Sequence, residues 1–213
     1  MSTSRDRVRQ ALSHQGSDRI PVDFGATAVT GIHCRVVEAL RKHYGLSYKP
    51  VKIVDTFQML GEVDRDLADA MGVDWIGVGG TRDIFDHDTE CMHEQVTPWG
   101  QKVLVPIQLD LTQDKEGDVY VYAGGDKNYP PSAIMPNGCF FINAIERQQP
   151  IDEDKLDPMD NLEEFNSITD EELDAYKKKV NEASATGRAV VASFGGTALG
   201  DVAFVPGMGL KEP

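Results

Sequence analysis

Toward its end the chain runs Val190-Val-Ala-Ser-Phe-Gly-Gly-Thr197, a β-branched apolar stretch that stops at two glycines. Glycines lack Cβ, so a ligand can approach the backbone closely there. In parallel α/β folds, ligands bind just beyond the carboxyl ends of strands. Phe194, Gly195 and Gly196 are therefore candidate substrate-binding residues. The same rule singles out Asp23, near the end of Arg19-Ile-Pro-Val-Asp-Phe24, as a candidate catalytic carboxylate. A loop of small and hydroxyl residues follows, Gly25-Ala-Thr-Ala-Val-Thr-Gly-Ile32, and leads through Thr30 to His33. His33 falls at a helix start. There its imidazole either binds an anionic group beside free backbone N–H groups or simply caps the helix.

The elements that must hold these residues read as an alternating α/β pattern. A short helix spans 4–14, with Ser4 as N-cap and Val8 and Leu12 on one face. A strand at 20–24 follows, with Pro21 near its start. Helices span 33–44, ended by Gly45, and 58–71, ended by Gly72. Asp74-Trp-Ile-Gly-Val78 is a short strand. From 83 to 145 the pattern changes to short alternating runs broken by Pro-Trp-Gly, Gly-Gly-Asp and Pro-Pro-Ser, which predicts an antiparallel β-meander. Thr169-Asp-Glu-Glu172 is a capping box, opening a helix whose buried stripe is Leu173, Tyr176 and Val180. A strand at 189–194 closes the series, parallel to those at 20–24 and 74–78. Trp75 and Trp99 read as core residues.

Composition narrows the function classes. The net charge is −14, of which −10 sits between Ile151 and Asp174, an acidic connector and helix start. Nucleic acid is disfavoured as a partner, because phosphate calls for a basic face. No apolar run is long enough for a membrane helix, and the first residues form no apolar signal region. Three cysteines, Cys34, Cys91 and Cys139, have no framework spacing, which fits a reducing cytoplasm. No P-loop, dinucleotide fingerprint or serine-elbow motif is present.

Several segments together resemble the uroporphyrinogen decarboxylase superfamily. They are Arg5-Asp-Arg-Val-Arg-Gln-Ala-Leu through Arg19-Ile-Pro-Val-Asp-Phe-Gly25, Val54-Asp-Thr-Phe-Gln, Met71-Gly-Val-Asp-Trp-Ile-Gly-Val, Pro98-Trp-Gly and Phe194-Gly-Gly-Thr-Ala-Leu-Gly-Asp. The likeness spans essentially the whole chain and is nearest the branch with cobamide-dependent methyltransferases. It implies a (β/α)₈ barrel, which needs about 250 residues. Residues 1–213 would then be a single incomplete barrel domain, its N-terminal part. A β-meander is inserted at about 83–145 and an acidic connector lies at about 151–168. An open sheet edge would favour self-association, and the chain alone would not catalyse.

The resemblance also implies chemistry. For the intact relative it implies methyl transfer with zinc and a corrinoid, on a small-molecule substrate or with a corrinoid protein as partner. Zinc lowers the pKa of a bound thiol so that the thiolate can attack the methyl group. Its His and Cys ligands belong to barrel segments beyond this chain, so this portion binds no cofactor itself. Cys91-Met-His93 and His33-Cys34 are the local Cys/His pairs, and both read as structural or surface residues. Decarboxylation of a polycarboxylate such as uroporphyrinogen is the alternative, but the 25–32 loop lacks the cations it would need. A catalytically inactive fragment or interaction module is the third reading. The decarboxylases use an aspartate to gather pyrrole N–H groups. Asp64 lies nearest that position, either in that role or as an exposed helical carboxylate; Asp23 and Asp55 compete with it.

Overall fold

The computed structural model describes residues 2–145, 154 and 168–193. Phe194, Gly195, Gly196 and nearly all of the acidic connector lie outside them. Helix α1 (Ser4–Leu12) is capped by Thr3, not Ser4, because Thr3 has the extended backbone and its Oγ1 accepts the Asp6 amide at 3.1 Å. Its buried residues are Arg7 and Val8, while Leu12 stays 71% exposed. Arg7 takes the inward position that periodicity would give an apolar residue, since it pairs with buried Asp74.

Residues 20–24 form no strand. Pro21 has no N–H to donate, and the Val22 amide is taken by the Asp74 carboxylate at 2.8 Å. One backbone bond remains beside the sheet, Asp74 N–H to Val22 O at 2.8 Å.

A strand absent from the sequence reading, β2 (Val51–Asp55), lies after α2 (Cys34–His43). It alternates, with Val51 and Ile53 buried. The expected 58–71 helix is shorter: α3 covers Arg65–Met71, between the Asp64 cap and left-handed Gly72. Ahead of it Met59 adopts φ 52° and Leu60–Gly61 form β3, antiparallel to β2. Gly61 is required there, since a Cβ would meet Val51, Val37 and the Cys34 backbone at 2.5–3.1 Å. β1 (Ile32–His33) completes this edge.

The 83–145 segment makes the expected antiparallel pairings but is not a self-contained insertion. β5 (Met92–Val96) pairs with β6 (Lys102–Pro106), and β6 also runs parallel to β2, giving a five-stranded sheet β1-β3-β2-β6-β5. β7 (Val119–Val121), β8 (Ala133–Met135) and β9 (Asn143–Ala144) form a separate antiparallel sheet. One core joins both sheets through residues such as Ile53, Val103, Val105, Val119, Met135 and Phe85. Trp99 packs partly against it, and Trp75 is half-buried.

β4 (Trp75–Val78) and β10 (Ala189–Ala192) pair in parallel, in register from Ala189 opposite Trp75 to Ala192 opposite Val78. α4 (Asp170–Ala185) packs on both strands. Its capping box is made: Thr169 Oγ1 accepts the Glu172 amide and Glu172 accepts the Thr169 amide. Only Ala183 is buried on this helix; Leu173 is exposed and Tyr176 and Val180 are half-buried. Two short strands offer α4 too narrow a surface to cover the whole stripe. The architecture is mixed α/β, and no sheet among the described residues closes into a barrel.

Candidate functional site

The carboxyl ends of β4 and β10 lie side by side, with the Ser193 amide donating to Val78 O at 2.9 Å. Gly79 and Gly80 continue β4, and any Cβ there would meet open space or a single atom at 4.0 Å. A small cavity of about 140 Å³ opens between Gly79-Gly80-Thr81 and the α4 residues Glu172, Tyr176 and Lys179. Lys179 anchors its rim, donating to Gly80 O at 3.2 Å and pairing with Glu90 at 2.6 Å.

The 22–31 loop crosses β4. It starts beside Asp74 and passes over Gly77, where Ala26 O would lie 1.8 Å from any Cβ. Asp23 Oδ1 accepts the Ala26 amide at 3.1 Å, and the Gly25 amide donates to Thr30 O at 2.8 Å, closing the turn. Asp23 follows directly on the Val22–Asp74 bond at the beginning of β4. Beyond Ala26 the loop folds back: the Thr30 carbonyl accepts the Gly25 amide, and the next residue, Gly31, packs against Leu60 of β3.

His33 caps α2. Its Nδ1 accepts the Arg35 amide at 3.2 Å and its Nε2 donates to Phe140 O at 3.1 Å. Both nitrogens are engaged, which is the capping alternative. Burial lowers its pKa, opposed by the Phe140 carbonyl, and Trp99 and Phe141 flank the ring at 5.5 and 5.4 Å. Asp64 is neither exposed nor free. It caps α3 through the Leu67 amide and pairs with buried Arg41 at 2.7 Å and with Lys49. Arg41 also binds Asp66 at 2.8 Å, and its hydrogen bond holds Asp66 far below the usual carboxylate range. Asp55 accepts the Gln58 amide at 2.7 Å.

Neither Cys/His pair gathers a further ligand among the described residues. The Cys34 thiol is fully buried, and burial pushes it up to about 12, away from the thiolate that zinc needs. His93 Nε2 lies 3.2 Å from Leu109 O, and among the described residues no group of three or more His, Cys, Asp or Glu could hold a metal. Alkylation of the native protein at pH 8 is therefore expected to label the two exposed thiols, Cys91 and Cys139, and to spare Cys34 until urea is added. Intact-mass spectra showing three additions without denaturant would contradict the burial of Cys34.

One polar cluster has no counterpart in the sequence reading. His87 is fully buried, with Nδ1 3.2 Å from Asp83 Oδ2 and Nε2 2.9 Å from Tyr122 O. Thr56 Oγ1 donates to Asp83 Oδ2 at 2.5 Å, and the Phe85 and His87 amides donate to Asp83 Oδ1. Burial alone would raise the Asp83 carboxyl; His87 and Thr56 outweigh it and hold it low. The cluster is sealed from solvent and ties the loop after β4 to the ends of β2 and β7. Its only sequence signal is an Asp-x-x-x-His spacing.

A larger cleft, about 770 Å³, lies elsewhere, along α2 and the turn at 99–101. The β4–β10 end remains the candidate site, because the parallel pair and open glycines there are the arrangement by which α/β folds expose backbone to ligands. Comparison with family models, curated proteins and solved structures finds no match.

Proposed function

We propose that this chain is the N-terminal part of a (β/α)₈-barrel enzyme of the uroporphyrinogen decarboxylase superfamily. The activity we assign to the intact enzyme is cytoplasmic methyl transfer with a corrinoid and zinc. The observation that carries the reading is the β4–α4–β10 unit: two parallel strands in register, covered by a helix, ending together at Gly79-Gly80 and Ser193. Such units are the repeat from which (β/α)₈ barrels are built. The segments that carry the family resemblance surround this unit in order. Arg19–Gly25 leads to the loop over β4, Met71–Val78 contains β4, and Phe194 onward follows β10.

In this reading the chain contributes position and shape. Ala26, its amide held by Asp23, covers Gly77 of β4, and Gly79-Gly80 leaves backbone open to substrate. Zinc is assigned to segments downstream of this chain. The absence of any Lys or Arg from 25–32 favours methyl transfer over decarboxylation of a polycarboxylate.

The test begins with the coding sequence after Pro213. It is expected to continue in frame through further strand–helix units, and the extended protein, purified with zinc, is expected to methylate a thiol from methylcobalamin. An extended protein that takes up zinc yet leaves the thiol unmethylated, or a downstream sequence without such units, would overturn the proposal.

A further inference from the structure

We infer that the cleft along α2 is a binding site for a small planar aromatic molecule carrying a phosphate or carboxylate. The inference is independent of the proposed activity, since the cleft shares no residue with the β4–β10 end. At about 770 Å³ it falls within the size range of small-molecule sites. Arg35, Arg41, Lys42 and Lys49 line it together with Tyr48 and Trp99, and Glu38 is the one acid among the lining residues.

The charges divide into two groups. Arg41 and Lys49 are matched by Asp64 and Asp66, which fixes that wall. Arg35 and Lys42 have no carboxylate partner within salt-bridge distance among the described residues. They sit seven residues apart on one helix face, roughly 10 Å along the axis. Arg35 is already oriented, with its guanidinium 4.4 Å from the Phe140 ring centroid. Set against Glu38, these two leave the cleft net positive on a chain of charge −14.

Three further observations point to a ligand. Arg41 is 4% exposed and its Nε has no hydrogen-bond partner, a buried donor that an acceptor in the cleft could satisfy. Trp99 is held by its Nε1–H to Gln101 Oε1 at 3.0 Å, so an aromatic surface is fixed at the cleft edge. Gly45 and Gly100 both have positive φ, and no atom would lie within 4 Å of a Cβ on either, so backbone is open at two points of the lining.

The test is calorimetric titration of the full 213-residue chain with AMP and indole-3-acetate, and with adenosine and inorganic phosphate as the ring-only and anion-only controls. At least one aromatic anion is expected to bind about tenfold more tightly than both controls. Arg35→Gln and Lys42→Gln are each expected to weaken it several-fold, and Glu38→Gln to tighten it. Lys102→Gln, which removes an exposed pair with Glu94 outside the cleft, is expected to change nothing. Failure of both aromatic anions to bind, binding no tighter than adenosine, or equal weakening by Lys102→Gln would each overturn the inference.

Discussion

Gly77→Ala is expected to destabilise the protein by about 3 kcal/mol, the upper range for forcing a methyl into a packed site. The cause is steric contact with backbone. A Cβ at Gly77 would lie 1.8 Å from Ala26 O and 2.7 Å from its carbonyl carbon. No flexible side chain is there to yield, so the 22–31 loop must lift from β4. That loop is tied to Asp74 at Val22, and beyond it by Asp23 on the Ala26 amide and Thr30 on Gly25. Gly79→Ala, two residues along the same chain, meets nothing within 4 Å and is expected to stay within about 0.5 kcal/mol of the parent. Urea unfolding midpoints for both variants check the pair. Equal midpoints would mean that the loop does not rest on β4.

Asp74→Ala is expected to cost about 3 to 4 kcal/mol, the scale for removing one partner of a buried ion pair. Asp74 has no exposed surface. It accepts Arg7 Nη1 at 2.6 Å, Arg19 Nη1 at 2.6 Å and the Val22 amide at 2.8 Å. One carboxylate thus joins α1, the 19–22 segment and the start of β4. Burial alone would raise its pKa, but the Val22 amide and the Arg19, Ser4 and Arg7 donors outweigh this and leave it lowered. A carboxylate with a depressed folded value adds stability in full above its unfolded value of about 3.9. That contribution is lost as pH falls through the folded value, because the unfolded chain binds the proton first. Between pH 7 and pH 3 the parent protein should therefore lose more stability than Asp74→Asn. Parallel losses in the two proteins would show that Asp74 is not the linked group.

Features that depend on residues within one turn were legible in the sequence. The Thr169–Glu172 box forms because its donors and acceptors are three residues apart. Gly45, Gly72 and Gly187 end their helices because each takes a left-handed φ that other residues resist. β4 and β10 could be read because short apolar runs bounded by turn residues have few other uses. The candidate site was legible in outline only, as the end of those two strands.

Distant partners decided the rest. Ile20–Phe24 has strand composition, yet Asp74, some fifty residues on, takes the amide that a sheet neighbour would have used. Residues 58–64 carry helical spacing, but Gly61 is pressed against Val51, Val37 and Cys34, so the chain turns at Met59 and pairs as β3. Asp64 had two readings by sequence; the arrival of Arg41 and Lys49 made it a cap in an ion network. Composition and local spacing set which segments can be helix or strand and where helices stop. The fate of an amide, a carboxylate or an inward-facing arginine depends on which remote group is brought beside it, and only the packed tertiary structure supplies that partner.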